Sequence, residues 1–392
     1  MHFSSTELDT LAVLRHALNS ETEVPKITAE WAEIAKELSE QTVLFLTADC
    51  LSEIGVSEEE KGRFVPAYAQ NLKIFHRIMQ EQENLAKAME GIPYVVLKGA
   101  AAAMYYPMPE RRQMGDIDFL VAPSDYDKAK TQLVENGYLM EEDNGRHTGF
   151  KSKSGVHLEL HQKFSTSDNA EQNAALDGML YEAMNQREMR DVCGYTVPVL
   201  PKLENGLVLL AHINQHMSSG LGLRQIIDWM LYIRECLDDA FWKESFCKAA
   251  EAIGMRQLAE ITTLLCKRHL GLEGVTWCDE ADGELADQML EYILSKGNFG
   301  RKNEYASRAT VSVLHRFSNP VLFFRYLTAG GMLHWKAARK HKWLKPFAWI
   351  YQIGHIIKMG LKRKVRPSKF LEEAKQSKRE TELLEKINVT RK

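Results

Sequence analysis

The sequence lacks the marks of several common protein classes. Only six of its 392 residues are cysteine, and no two of them are spaced as CxxC. The absence of CxxC pairs excludes zinc ribbons and thioredoxin-type redox motifs, and the scattered cysteines favour a reduced, cytoplasmic protein. The first 20 residues have neither a cationic start nor a continuous apolar core, so we expect no signal peptide. The longest apolar stretch, 347–357, is too short to span a bilayer.

The sequence also has no overall excess of basic residues. Lys and Arg number 50 against 53 Asp and Glu, and the resulting net charge of −3 does not indicate a nucleic-acid binder. The charge is nevertheless uneven along the chain. Residues 305–370 hold 14 basic residues and no acid, which leaves a net charge of −17 on the rest of the chain.

The basic region is also rich in aromatic residues. Residues 335–366 contain ten Lys or Arg together with Trp335, Trp343, Phe347, Trp349 and Tyr351. Such a segment suits the surface of an anionic membrane, and it could also bind nucleic acid through phosphates and base stacking. We favour docking on the acidic remainder of the chain. Peripheral contact with the inner membrane face is the second interpretation, and nucleic acid is the third.

Hydrophobic spacing divides the chain into four regions. Apolar residues recur every three or four positions over 1–90 and again from about residue 170 onward, which predicts helices in both places. Between them, 91–165 alternates short β-rich runs with helical segments. We therefore predict an α+β protein with a small α/β core and a mixed sheet, flanked by an N-terminal helical region and a larger C-terminal one. The latter comprises a helical domain, 166–304, and the basic, aromatic helical segment, 305–392.

The core region is expected to hold five short strands. Residues 94–97 and 116–121 are buried-strand patterns, and a helix begins after each of them. Three further runs, 138–141, 147–152 and 156–161, are separated by Asn-Gly and Ser-Gly turns. Such turns predict antiparallel strands.

Two carboxylates share one face of the second strand. Asp116 and Asp118 alternate with apolar residues, so their side chains are expected to project together. Like charges at this spacing repel each other unless a cation lies between them, and Mg²⁺ prefers carboxylate oxygens. The alternative is a solvated strand face with two incidental acids.

Three neighbouring features favour a metal and polyphosphate site. Glu159 belongs to an alternating run and would add a third carboxylate from an adjacent antiparallel strand. Lys98 and Gly99 stand where a strand passes into a helix, and a glycine there lets a phosphate approach free backbone N–H groups. Arg111 and Arg112 precede the second strand, within reach of phosphate oxygens.

This set of motifs resembles the polymerase-β-type nucleotidyltransferase superfamily, and more specifically the bacterial "uncharacterised nucleotidyltransferase" family. The features of that family are VLKG, RxMGDIDxLV and ExH. They stand here as 96–99, as 112–121 and as 159–161. The family also has a helical segment with His residues and an Arg ahead of an Asp, a pattern that His212, His216, Arg224 and Asp228 match. The superfamily usually places a second Gly or a Ser after the first glycine, whereas this chain has Ala100.

The resemblance implies that the chain moves an NMP from an NTP to a hydroxyl or phosphate of an acceptor and releases pyrophosphate. Asp116 and Asp118 would hold two Mg²⁺ ions, with Mn²⁺ as an alternative. Glu159 would hold the catalytic metal or deprotonate the acceptor. A small molecule, a sugar, a lipid-linked precursor or a peptide would be the acceptor. A catalytically idle nucleotide-binding, regulatory or antitoxin-like relative is the alternative function.

The resemblance also implies which residues bind the nucleotide. Lys98 and Gly99 would hold the β and γ phosphates, and Arg112 would stabilise charge on the leaving pyrophosphate. His161 and Arg224 are further candidates.

Three histidines and one arginine also have other interpretations. His161 would otherwise be a structural strand histidine that orients Glu159. His212 and His216 share a helix face at a spacing that suits zinc, but no third ligand accompanies them, so a packed helix face is favoured. Arg224 and Asp228 form an intrahelical pair by default.

Overall fold

A computed structural model describes two units of the chain. The described residues are 3–19, 23–143, 147–165, 169–217, 220–298, 324, 327–328, 331–332, 335, 337–338, 341–362, 379–380 and 382–387. One unit comprises Met1–Lys302 with Ile387–Lys392, and the other comprises Asn303–Lys386.

The first unit contains the predicted five-stranded mixed sheet, so the α+β fold class is confirmed. Its strands are β1 (Tyr94–Leu97), β2 (Asp116–Val121), β3 (Leu139–Asp143), β4 (His147–Lys151) and β5 (His157–His161). Their spatial order is β1-β2-β5-β4-β3. Strands β2 and β5 are parallel, and the other neighbouring pairs are antiparallel.

The prediction that Glu159 would lie on a strand antiparallel to β2 is wrong. The helix that follows β2 returns the chain to the end of the sheet at which β2 begins. The two reversals between β3, β4 and β5 then leave β5 running in the same direction as β2. The turns between the antiparallel strands lie where the sequence predicts them. The direction of β5 relative to β2 is set by the helical crossover that precedes these turns.

The two faces of the sheet differ in polarity. Residues of one face, including Ile117, Phe119 and Leu158, belong to a buried apolar cluster. The same cluster takes side chains from a long helix, Glu58–Ala88, and from the helix after β2, Tyr126–Glu135. Because side chains alternate along a strand, the acidic and histidine residues of β2 and β5 are left on the opposite face.

Helices make up most of the remaining described chain of the first unit. They are α1 (Ser5–Asn19), α2 (Trp31–Glu40), α3 (Glu58–Ala88), α4 (Gly99–Ala103), α5 (Tyr126–Glu135), α6 (Ala170–Ala183), α7 (Lys202–Met217), α8 (Leu223–Cys236), α9 (Asp239–Phe241), α10 (Cys247–Ala252), α11 (Arg256–Leu270) and α12 (Gly283–Lys296). Helices α7 and α8 approach closely at Gly206, where any side chain would overlap the ring of Tyr232.

A hairpin interrupts the region that was predicted to be helical from about residue 170. Strands β6 (Glu188–Val192) and β7 (Tyr195–Val199) are joined by Cys193 and Gly194, which have φ angles of 53° and 83°. Two successive positive φ values are typical of the tight turn that favours a hairpin. Val192, Val197 and Val199 extend the apolar cluster of the sheet. These strands are too short for their alternation to stand out from the helical spacing on either side.

The second unit contains an amphipathic helix, α13 (Ala348–Lys362), preceded by the short helix Lys342–Phe347. Its described side chains include exposed apolar ones, Trp343 at 70%, Phe347 at 51% and Ile350 at 51%. Among the helices that the structure describes, none combines the length and the hydropathy that a membrane crossing requires. Part of the basic segment 335–366, including 339–340 and 363–366, lies outside the described residues.

Candidate active site

The three predicted carboxylates lie together on the polar face of β2 and β5. In the parallel register Asp118 is opposite Glu159, and Asp116 is opposite His157. Asp118 is buried, with 3% of its side chain exposed, whereas Asp116 is exposed and Glu159 is partly exposed. The three carboxylates therefore range from buried, at Asp118, to exposed to solvent, at Asp116.

Lys98 closes the inner end of this group. Its Nζ lies 2.9 Å from Oδ1 of Asp118. Lys98 has φ 54° and ψ −145°, a strained conformation for a residue with a side chain, and it immediately precedes α4. Such strain persists only where the surrounding structure enforces it, and it is concentrated at functional sites. The following Gly99 has φ +42° and lies beside the backbone oxygen of Asp116.

The contact between Lys98 and Asp118 keeps both of these groups charged. Burial alone would raise the pKa of Asp118, but Lys98 and His161 outweigh it and hold the pKa well below its ordinary value. Burial alone would lower the pKa of Lys98, and the charges of Asp118 and Asp116 raise it instead. Both groups are therefore charged at neutral pH.

Asp116 behaves in the opposite way. The negative charge of Asp118 raises the pKa of Asp116 to about 6, although Lys98 acts against it. This carboxyl is the one whose negative charge the site compensates least. An added cation would relieve that repulsion.

His161 lies between two carboxylates. Its Nε2 is 3.0 Å from Oδ1 of Asp118 and 3.4 Å from Oε2 of Glu159, and only 1% of its side chain is exposed. Burial acts to lower the pKa of His161, but these two contacts raise it above its ordinary value. The contact with His161 lowers the pKa of Glu159. His161 thus contacts Asp118 as well as Glu159, which sequence reasoning did not foresee.

The site also contains His147, which the sequence analysis did not select. His147 is the cross-strand partner of His161, and their ring centroids are 5.1 Å apart. Its Nε2 lies 3.9 Å from Oε2 of Glu159. The sequence does place His147 at the start of the strand that pairs with the ExH strand. Its position beside His161, however, follows only once the register of the hairpin is known.

Arg112 is held by a buried ion pair. Its Nε and Nη2 donate to the two oxygens of Asp228 at 2.7 Å each, and the hydroxyl of Tyr106 donates to Oδ1 at 2.7 Å. Only 3% of Arg112 and 1% of Asp228 are exposed. The expectation that Arg224 would pair with Asp228 is therefore corrected, because the strongest donor to Asp228 comes from the segment before β2. The predicted contact of Arg112 with pyrophosphate would have to compete with this pair.

Arg111 faces away from this ion pair. It makes two hydrogen bonds to Asp49, at 2.6 and 2.7 Å. Asp49 is largely exposed. The two adjacent arginines therefore differ in their partners: Arg112 pairs with a buried carboxylate, whereas Arg111, which is 13% exposed, pairs with a carboxylate in solvent.

Arg224 and His212 approach the site from α8 and α7. Nη1 of Arg224 donates to the carbonyl of Gln113 at 2.9 Å, and its buried Nε has no hydrogen bond within the described part of the chain. Burial, followed by the charge of Arg112, lowers the pKa of Arg224 to about 10. Burial and the charge of Lys98 lower the pKa of His212 well below its ordinary value, so this imidazole is neutral.

A buried polar network fixes the start of α8. The side-chain oxygen of Gln41 accepts from the backbone N–H of Leu223 at 3.1 Å. Gln225 donates to Asn298 at 3.2 Å, and Asn298 donates to Thr42 at 3.1 Å. The network joins three distant parts of the chain and thereby orients the helix that carries Arg224.

The donor set fits a divalent cation. Three carboxylates and one ammonium group leave two negative charges at the polar face of the sheet, and hard oxygen ligands are those that Mg²⁺ prefers. His147, Glu159 and His161 form a second group, whose ligand atoms all lie within 4.8 Å of one another.

Comparisons with known proteins place the chain in a family. A family model described as "uncharacterised nucleotidyltransferase" matches residues 28–271. No curated protein matches the chain. A similar solved structure is an antigenic nucleotidyltransferase-like protein from Paracoccidioides brasiliensis, with 16% sequence identity and a TM-score of 0.32, and the match covers 52% of this chain and 94% of the other. Since the family model covers more than half of the sequence, the chain belongs to the uncharacterised nucleotidyltransferase family that its motifs indicated.

Proposed function

We propose that the chain is a Mg²⁺-dependent nucleotidyltransferase that moves an NMP from an NTP to a hydroxyl or phosphate of an acceptor. The observation that supports this most directly is the register of β2 and β5, which aligns Asp118 with Glu159 and leaves Asp116 on the same face. Mg²⁺ bound there would neutralise phosphate charge and polarise the α-phosphorus towards attack. Asp116, Asp118 and Glu159 are the residues that would hold it.

The chain's own residues would then position the reactants. Glu159 lies towards solvent, where it can accept the proton of an acceptor hydroxyl. Arg224 has donor capacity to spare at the inner end of the site, so it can contact the nucleotide. The leaving group would be pyrophosphate, and catalysis would be mainly positioning and charge neutralisation.

Lys98 would have two alternating roles. In the structure its ammonium group neutralises Asp118. When a cation takes over that role, the same ammonium group becomes available to the β and γ phosphates. Binding of metal and binding of nucleotide would therefore assist each other, because each supplies charge that the other needs.

The alternative function is a catalytically idle nucleotide-binding or regulatory relative. One observation favours it, since Lys98 and His161 both contact Asp118 and thereby compensate its charge. Such a protein would bind nucleotide but transfer nothing.

Thermal unfolding tests the proposal. Mg²⁺ together with an NTP should raise the melting temperature by more than the sum of their separate effects. The Lys98→Ala variant should lose more of the stabilisation by a nucleoside triphosphate than of that by the monophosphate. Additive effects of Mg²⁺ and NTP would contradict the shared site. Equal losses for both nucleotides would remove Lys98 from the β and γ phosphates.

A further inference from the structure

We propose that His147, His161 and Glu159 form a second metal position, which shares Glu159 with the carboxylate group and takes a borderline transition-metal ion such as Zn²⁺ or Co²⁺. This inference does not depend on the transfer reaction. It rests on imidazole nitrogens, which are good ligands for zinc and cobalt, whereas magnesium prefers oxygen. Two histidines and one glutamate form a known ligand set for zinc in catalytic sites, in which a fourth position stays open.

The sheet register brings the three ligands together. His147 and His161 are directly paired across the antiparallel strands β4 and β5, and Glu159 precedes His161 by two residues on the same face. The residue directly opposite Glu159 is Gly149, which has no side chain, so His147 from the same strand can approach that carboxylate. Three donors therefore converge from two rigid strands.

The distances are close to those that a small ion requires. A metal–nitrogen bond of about 2.0–2.1 Å places tetrahedral ligand atoms roughly 3.3 Å apart. Oε2 of Glu159 lies 3.4 Å from Nε2 of His161 and 3.9 Å from Nε2 of His147. All three ligand atoms lie within 4.8 Å of one another. Rotamer adjustments of a few tenths of an ångström to about 1.5 Å would complete the geometry.

Access and charge favour the same conclusion. His147 is 20% and Glu159 36% exposed, so an ion can enter from solvent, while His161 is buried below them. Nε2 of His161 faces the carboxylates of Asp118 and Glu159, so an ion bound by this nitrogen would take the place of its proton. The nearby Asp116 and Asp118 add negative charge that favours a divalent cation.

Titration of the metal-stripped full-length protein with Co²⁺ tests the site, because tetrahedral Co²⁺ absorbs visible light. We expect this absorption to saturate at one equivalent. His147→Ala should weaken binding at least about 100-fold, since loss of even an outer partner of a metal ligand costs about 10–100-fold. Because His147 is partly exposed, the variant is expected to fold. The melting temperature of the metal-free His147→Ala protein checks this.

His157→Ala is the matched control. His157 lies on the same strand face, is exposed and contacts Glu141. It should leave Co²⁺ binding unchanged. Asp116→Asn should also retain Co²⁺ binding even if it abolishes nucleotidyl transfer, which separates this site from the proposed function. Equal weakening by His147→Ala and His157→Ala, loss of binding in Asp116→Asn, or no stoichiometric binding would overturn the proposal.

Discussion

Arg112 offers the sharpest test of how the site is built. It forms a buried bidentate pair with Asp228. Replacement of Arg112 by Met would leave the Asp228 carboxylate buried, and among the described residues the Tyr106 hydroxyl would be its remaining side-chain donor. Breaking a buried ion pair by removal of one partner costs about 3–5 kcal/mol of folding free energy. We therefore expect Arg112→Met to lower the free energy of unfolding by that amount.

The adjacent arginine supplies a control. Arg111 pairs with Asp49, whose side chain is 79% exposed. Arg111 itself is 13% exposed, but its removal leaves the Asp49 carboxylate in solvent rather than buried, so Arg111→Met should cost less than Arg112→Met. The double variant R112M/D228L should regain most of the loss, because replacement of a buried ion pair by apolar side chains is often neutral or stabilising.

Urea unfolding followed by circular dichroism measures all of these variants. The slope with denaturant should stay constant while the midpoint moves. If Arg112→Met costs less than about 1 kcal/mol but abolishes NTP binding, the ion pair is not an anchor. Arg112 would then be the phosphate ligand that the sequence predicts.

The other predictions concern charge, pH and membranes. Asp116→Asn should keep or raise the melting temperature without metal, because it relieves repulsion from Asp118, whereas Asp118→Asn should lower it by removing the carboxylate that pairs with Lys98. The reverse order would refute this. The pKa of His212 is lowered by burial, so the unfolded chain takes up its proton first as pH falls below 6.5 and stability falls with it. His212→Gln should reduce that loss in urea unfolding measured from pH 7 to 5, and an unchanged pH profile would contradict the cause. Membrane contact, the second interpretation of the basic segment after docking on the acidic part of the chain, predicts vesicle binding that requires anionic lipid and falls with salt, with Trp343→Ala weakening a salt-resistant part. No binding at low salt, or binding to neutral vesicles alone, would contradict it.

Local patterns explain which parts of the site the sequence could predict. Strands β1 and β2 have the predicted bounds because each is a dense apolar run with clear breaks on both sides. The shared face of Asp116 and Asp118 follows from strand alternation alone. The ExH motif likewise placed Glu159 and His161 together.

Long-range pairing explains what the sequence could not predict. The Arg112–Asp228 pair joins residues 116 positions apart, so no local spacing indicates it. The more obvious partner of Asp228 was Arg224, one helical turn away. The direction of β5 depends on the crossover rather than on its own residues, and the facing of His147 on His161 depends on register.

Transfer of a labelled nucleotide tests the central claim most directly. The protein is incubated with Mg²⁺, with each NTP labelled at either the α or the γ phosphate, and with a deproteinised cell extract as the source of acceptor. We predict that α label moves to an acceptor or to the protein itself, that pyrophosphate is released in equal amount, and that Asp116→Asn abolishes both. Transfer of γ label alone, or undiminished transfer by Asp116→Asn, would contradict nucleotidyl transfer at these carboxylates.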